Sequence, residues 1–336
     1  MALAQRTIML RSKVFAISVF LTGYVMTADT ATGAQTGQFV APEMDTHLIE
    51  SKFVDQIFEI YVQVPWNRGD DSERFPVLYQ TDSYGHTAFS DTTSIMQLGG
   101  DVPRFITVGI GYDMKSPVNW LEIRTRDLTQ VEGATDIPSL APLFKDAPSP
   151  NLKQKSGGAA AFLKFIRQEL QPFIDSQYPT VPEERGYWGD SLGGLFGLYV
   201  LFNRPDTFNR YIIGSPSIWW ADRAIMNDAE AYIAAHDSLQ VKIFMSVGAL
   251  EEVGGTAAAK FAMVTNMFHL EDMLREANLK GLELTTHLFP NETHTSVIGM
   301  NYSRGIQTVY TRPEQPMIVQ MMTRPGDKKN RPEGQE

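Results

Sequence analysis

Apolar residues in this chain fall into short blocks that alternate between two periods. Residues 75–80, 105–110 and 241–247 are near-continuous apolar runs of strand length, the kind expected of strands covered on both faces. Residues 47–51 and 58–64 alternate only partly and are separated by a short polar turn, which predicts an antiparallel start. Residues 211–213 and 282–289 read as further strands, with another ending at Trp188. Helical periodicity occupies 90–98, 161–170, 223–236, 256–278 (with Gly281 as its cap) and 297–310. Strands that alternate with helices predict an α/β fold class: a mostly parallel twisted sheet with helices on both faces. Its reactive groups are expected beyond the carboxyl ends of the strands.

Two stretches break the pattern. Residues 129–156 carry Pro138, Pro142, Pro148 and Pro150 with no sustained period, and read as an irregular insertion of the kind that covers sites. Residues 312–336 are rich in charge, Pro and Gly and read as a tail. At the other end, Arg6, Arg11 and Lys13 precede an apolar run over 14–26 and small residues over 31–34, the layout of a secretory signal peptide cleaved near Gly33 or Ala34. Ser18, Thr22 and Gly23 interrupt that run, which is short for a bilayer core of about 30 Å. The expected organisation is a signal peptide over 1–33, one domain over 34–311 and a tail over 312–336. The expected location is periplasmic or secreted, with no stable membrane insertion once the leader is removed.

Composition narrows this further. A chain of 336 residues with 43% hydrophobic content can bury one large sheet. It has no cysteine, which excludes disulfides and a lipid anchor on cysteine. A net charge of −10 argues against nucleic acid as a partner. No convincing metal-ligand cluster is visible, so no cofactor is expected, and Gly109-Ile110-Gly111 lacks the third glycine of a dinucleotide fingerprint.

The candidate chemistry centres on Tyr187-Trp188-Gly189-Asp190-Ser191-Leu192-Gly193-Gly194, a Gly-x-Ser-x-Gly placed between a strand and an apolar helical run. This is the pattern of a nucleophile elbow, in which side chains at Gly189 and Gly193 would collide with neighbouring strand and helix. A serine nucleophile in such a fold is followed by its acid and then its histidine, each just after a strand. Of six histidines, His47, His86 and His236 precede the last two strands, His269 lies in a helix and His287 inside the last strand. His294 follows that strand on a loop and is the candidate general base. After residues 241–247 come the adjacent carboxylates Glu251 and Glu252; Glu251 is the better placed to curl back, and Glu252 remains the alternative. An oxyanion needs backbone donors. The Leu192 amide is one by elbow geometry, and Ser83 or Tyr84, after the 75–80 strand, is the expected second.

Taken together, these residues resemble the α/β-hydrolase esterases of the esterase D group, most closely the enterobactin and salmochelin siderophore esterases. The likeness spans most of residues 45–310. It rests on the Pro-Val-Leu-Tyr strand before Asp82, Arg126-Asp127-Leu128-Thr129, Gly189 to Gly194, Ser215-Pro216-Ser217-Ile218-Trp219-Trp220, and Gly248 to Glu251 before His294. Ser83 stands where the family often has glycine. The resemblance implies a serine esterase acting on a small-molecule ester, with siderophore-like esters as one class. Ser191 and His294 would be the catalytic pair, Glu251 the supporting acid, and Trp219, Trp220 and Arg126 neighbours of the pocket. Paired tryptophans also serve as core, and an arginine beside an aspartate as a local ion pair. Related mycolyl-transfer enzymes keep acyl transfer open as an alternative, and a non-catalytic binding protein is the third reading.

Overall fold

The computed structural model describes residues 44–65, 72–83, 89–112, 120–132 and 155–310. The expected signal peptide at 1–33, the tail at 312–336, Tyr84 and residues 133–154 of the insertion lie outside the described residues.

Among the described residues the strands are β1 (Asp45–Ser51), β2 (Gln56–Gln63), β3 (Phe75–Gln80), β4 (Ile106–Tyr112), β5 (Thr180–Asp190), β6 (Arg210–Gly214), β7 (Ser238–Gly248) and β8 (Lys280–Phe289). They form one sheet in the order β1-β2-β4-β3-β5-β6-β7-β8. The β1–β2 and β2–β4 pairs are antiparallel and every later pair is parallel, so the antiparallel start and the mainly parallel remainder are both present.

Strand pleating sends successive side chains to opposite faces, and the buried residues divide accordingly. Val77, Tyr79, Tyr187, Tyr211, Ile213, Ile243 and Met245 belong to one core, whereas Leu78, Trp188, Ile212 and Phe244 belong to another. The first core is covered by α2 (Trp120–Leu128), α3 (Ala159–Phe165), α4 (Gln171–Gln177), α5 (Leu192–Asn203), α6 (Trp220–Ala235) and α7 (Met263–Ala277). The second is closed by α1 (Ser90–Gly99) and α8 (Ile298–Val309). Helices therefore cover both faces. Continuous apolar runs in β3, β4 and β7 follow directly from burial on two sides.

Three elements differ from the pattern-based expectation. Helix α2 has no apolar stripe to announce it, because Arg124, Thr125, Arg126 and Asp127 are all buried. Helix α7 begins at Met263 rather than near 256: residues 257–261 form a 3₁₀ turn, and Ala262 then adopts a left-handed φ of 47°. The same helix ends on Asn278, also left-handed at φ 46°, while Gly281 sits in β8 with φ 84°. Helix α6 contains a left-handed turn of three non-glycine residues, Ala221, Asp222 and Arg223.

Helix α8 approaches β6 so closely that a Cβ on Gly305 would lie 2.1 Å from Ile212 Cγ2. Replacing Gly305 with valine should therefore lower stability by about 1–3 kcal/mol through overpacking. A urea midpoint unchanged in Gly305→Val would show that the interface can yield.

Candidate active site

Four neighbouring strands, β5 to β8, deliver the candidate residues at their carboxyl ends. Ser191 follows β5, Ser215-Pro216-Ser217 follows β6, Glu251 follows β7 and His294 follows β8. Because these strands are parallel and adjacent, residues far apart in sequence emerge along one rim of the sheet.

Ser191 occupies φ 60°, ψ −117°, a region populated almost only by glycine. The turn is held by backbone bonds: the Ser191 amide donates to Gly214 at 3.0 Å, and its carbonyl accepts from Leu195 and Ser217, each at 3.0 Å. The flanking glycines are required by contact. A Cβ on Gly189 would meet the Gly193 carbonyl at 2.5 Å, and one on Gly193 would meet Thr81 Oγ1 at 2.6 Å. Tyr187 tightens the same turn by donating its hydroxyl to the Gly193 carbonyl at 2.7 Å.

Glu251 is buried in a short 3₁₀ turn after β7. Its Oε1 accepts from the Gly248 amide and the Ser215 hydroxyl, both at 2.7 Å, and its Oε2 lies 2.5 Å from His294 Nδ1. Two donors on one oxygen aim the other at the imidazole. The loops carrying acid and histidine are tied together by the Leu250 amide, which donates to the Glu292 carbonyl at 2.9 Å. Burial acts against a charged imidazole, but the Glu251 hydrogen bond and the negative charges of Asp190 and Glu251 outweigh it, so the His294 pKa is raised above its ordinary value. With Nδ1 engaged, Nε2 is the ring nitrogen available to a second partner. In this conformation the Ser191 Oγ lies 3.3 Å from Ser217 Oγ and is not hydrogen-bonded to His294.

These contacts bear on several positions expected from the sequence. Glu252 accepts from the amide and hydroxyl of Thr265 at 2.7 and 2.6 Å, which ties it to the first turn of α7 and away from His294. Leu192 opens α5, where a helix amide lacks an intrahelical acceptor. Ser83 differs, since its amide donates to the Ile110 carbonyl at 3.2 Å and is thereby committed to the sheet. Tyr84 lies outside the described residues. Trp220 is 1% exposed and belongs to the core rather than a pocket wall. Trp219 is half-buried, with its ring 4.5 Å from that of Phe261. Arg126 is a further correction: its Nε donates to the fully buried Asp127 at 2.6 Å, a local pair inside α2.

The arginine that does reach the elbow is Arg124. Its guanidinium makes two bonds to Asp82, at 2.5 and 2.7 Å, and donates to the Asp190 carbonyl at 3.2 Å. Positions two apart on a helix point roughly 200° apart, so Arg124 and Arg126 cannot share a role. Ser215, Ser217 and Asp190 also stand at this rim, within the Ser-Pro-Ser and Gly-x-Ser-x-Gly motifs. Asp190 accepts from Asn301 Nδ2 at 3.0 Å, and Asn301 in turn accepts from Ser246. Burial first, and Glu251 second, push the Asp190 pKa up to about 7 against the opposing pull of His294, Asn301 and Arg124. Among the described residues, no group of three or more His, Asp or Glu side chains could hold a metal ion.

Comparison with known proteins places the chain among esterases. Residues 143–290 match the family described as "Putative esterase". The chain is 27% identical to the ferri-bacillibactin esterase BesA of Bacillus subtilis over 84% of its own length and 94% of the relative's. It is 32% identical to the siderophore enterobactin esterase of Emericella nidulans over 60% of its length and 70% of the relative's. The crystal structure of the BES protein from Bacillus cereus superposes with a TM-score of 0.66 at 27% identity, covering 82% of this chain and 99% of that one.

The buried Asp190 has a measurable consequence. An unfolded aspartate titrates near 3.8 and the folded one near 7. The native state therefore binds more protons between those values, and stability contributed at low pH is lost as pH rises through the window. Asp190→Asn removes that loss, so its thermal stability relative to the parent should improve more at pH 8 than at pH 5. An equal shift at both pH values would mean that Asp190 titrates like an exposed carboxylate.

Proposed function

This chain belongs to the esterase family of α/β-hydrolases, and from that premise we propose that it cleaves carboxylic esters through Ser191, His294 and Glu251, with siderophore-like esters as its substrate class. The observation that carries the assignment is the Glu251–His294 hydrogen bond, made at the ends of β7 and β8 on the same rim as the strained Ser191. Burying the carboxylate and fixing it with two further donors selects the imidazole tautomer whose Nε2 can accept a proton.

In the proposed cycle the Ser191 hydroxyl leaves Ser217 and turns toward His294 Nε2. Ser191 Oγ attacks the ester carbonyl as His294 takes its proton, and Glu251 stabilises the imidazolium. The carbonyl oxygen becomes an oxyanion facing the Leu192 amide at the start of α5. His294 then returns the proton to the departing alcohol, leaving an acyl group on Ser191. Water, deprotonated by His294, attacks that acyl group and restores the serine. Trp219 is the candidate substrate contact among the aromatic pair, since Trp220 is enclosed.

The substrate class is supported by relatives named for bacillibactin and enterobactin esters. The basic and then apolar residues of 1–33 support export, which would place the enzyme in a periplasm or outside the cell.

Ser191→Ala should abolish labelling by a fluorophosphonate and nearly all turnover of p-nitrophenyl esters. His294→Ala should cost about 10²–10⁴-fold in kcat. Glu251→Gln should reduce kcat far more than Glu252→Gln, whose lost contact to Thr265 affects stability alone; the reverse order would reassign the acid. Offering siderophore esters such as enterobactin beside simple esters, with and without alcohol acceptors, tests substrate and reaction together. Dominant transfer to the alcohol, or indifference to the siderophore esters, would overturn that part of the assignment.

A further inference from the structure

Arg124 has no part in the cycle above, yet it touches both sides of the turn that holds the nucleophile. Its Nε and Nη2 donate to the two oxygens of Asp82 at 2.5 and 2.7 Å, and Nη2 also donates to the carbonyl of Asp190 at 3.2 Å. Asp82 follows β3 in a left-handed conformation at φ 59°. Its carboxylate stands against the first turn of α5, since a Cβ on Gly193 would lie 3.4 Å from Asp82 Oδ2. Arg124 and Asp82 side chains are only 11% and 14% exposed, so this ion pair is shielded from solvent. One guanidinium thus fastens the residue before Ser191 to a carboxylate that abuts the residue two positions after it.

Between those anchor points the backbone is strained. A serine at φ 60°, ψ −117° persists only where its surroundings over-determine it. We propose that Arg124 is a positioning residue that clamps the elbow, keeping Ser191 Oγ and the Leu192 amide in the geometry of ester attack. The inference rests on the reading of Ser191 as nucleophile. The planar fork is the required feature: a lysine supplies the same charge but not two parallel bonds to Asp82 together with a third to Asp190.

Charge and geometry can be separated. Burial and the Arg124 charge lower the His294 pKa, whereas Glu251 and Asp190 raise it. Arg124→Lys retains the charge and loses the fork; Arg124→Met loses both. The number of competent sites in each preparation is counted by fluorophosphonate titration, so misfolded protein does not enter kcat. Affinity for a boronic acid, which mimics the tetrahedral intermediate, is measured alongside.

In Arg124→Lys, per-site kcat should fall at least about fivefold, KM should stay within about twofold, and boronate affinity should fall in parallel with kcat. In Arg124→Met the same loss should be joined by a shift of the acid limb of kcat/KM to higher pH, which the lysine variant lacks. Because removing one partner leaves a buried charge unpaired, the double variant Asp82→Asn with Arg124→Met provides a neutral pair, and the same per-site loss is expected there. A smaller kcat loss in the lysine variant and the neutral pair, or a loss confined to KM, overturns the clamp while leaving Ser191-dependent turnover intact. Turnover that survives Ser191→Ala overturns the nucleophile reading and the clamp with it.

Discussion

A serine is held here in a backbone conformation that side chains disfavour, at the point where β5 turns into α5. That constraint organises the surrounding structure. The turn can close only because Gly189 and Gly193 leave no Cβ in the way of the opposing backbone and Thr81. It stays closed because amides and carbonyls of β6 and the segment after it grip Ser191 on both sides. Strain of this kind costs about 1–3 kcal/mol per residue. The large apolar sheet and its two helical layers supply the stability against which such a cost can be borne.

Polar groups around the turn form a graded set rather than a single cluster. Glu251 is enclosed and given three partners, whereas His294 keeps a side-chain exposure of 44%, so the acid is fixed and the imidazole can meet a ligand. Asp190 lies behind the serine with Asn301 and Ser246, in a setting that resists its ionisation. Ser-Pro-Ser joins the two halves: Ser215 contacts Glu251 and Ser217 contacts Ser191. A segment between β6 and α6 thereby sees both residues without belonging to either strand.

Legibility of this arrangement from sequence followed the physics of each part. Buried strands such as β3, β4 and β7 are largely apolar, and the strand–serine–helix junction demands small residues, so both left clear traces. Chain order could place Ser191, Glu251 and His294 after β5, β7 and β8 because that relation is topological. Helix α2 left no such trace, since paired charges are buried beside its few apolar residues and blur any stripe. The same property hid Arg124 behind Arg126: which of two arginines faces the elbow depends on helix rotation, and no local motif encodes it. The commitment of Ser83 is hidden for a related reason, because the Ile110 carbonyl that engages its amide is distant in sequence. Trp220 and Trp219 are adjacent and chemically alike, and only packing separates an enclosed ring from one with an open edge.

The position of β8 gives the molecule two distinct ways to fail. Among the described residues it is the last strand of the sheet, paired on one side only, and Phe289 alone of its ten residues is buried. Edge elements with little buried surface open at lower free energy than the strands at a sheet's centre. The imidazole hangs from this border, whereas the serine is anchored in the middle. A transient peeling of the border strand would part His294 from Glu251 while most of the core remained folded, so loss of that pair need not coincide with loss of structure.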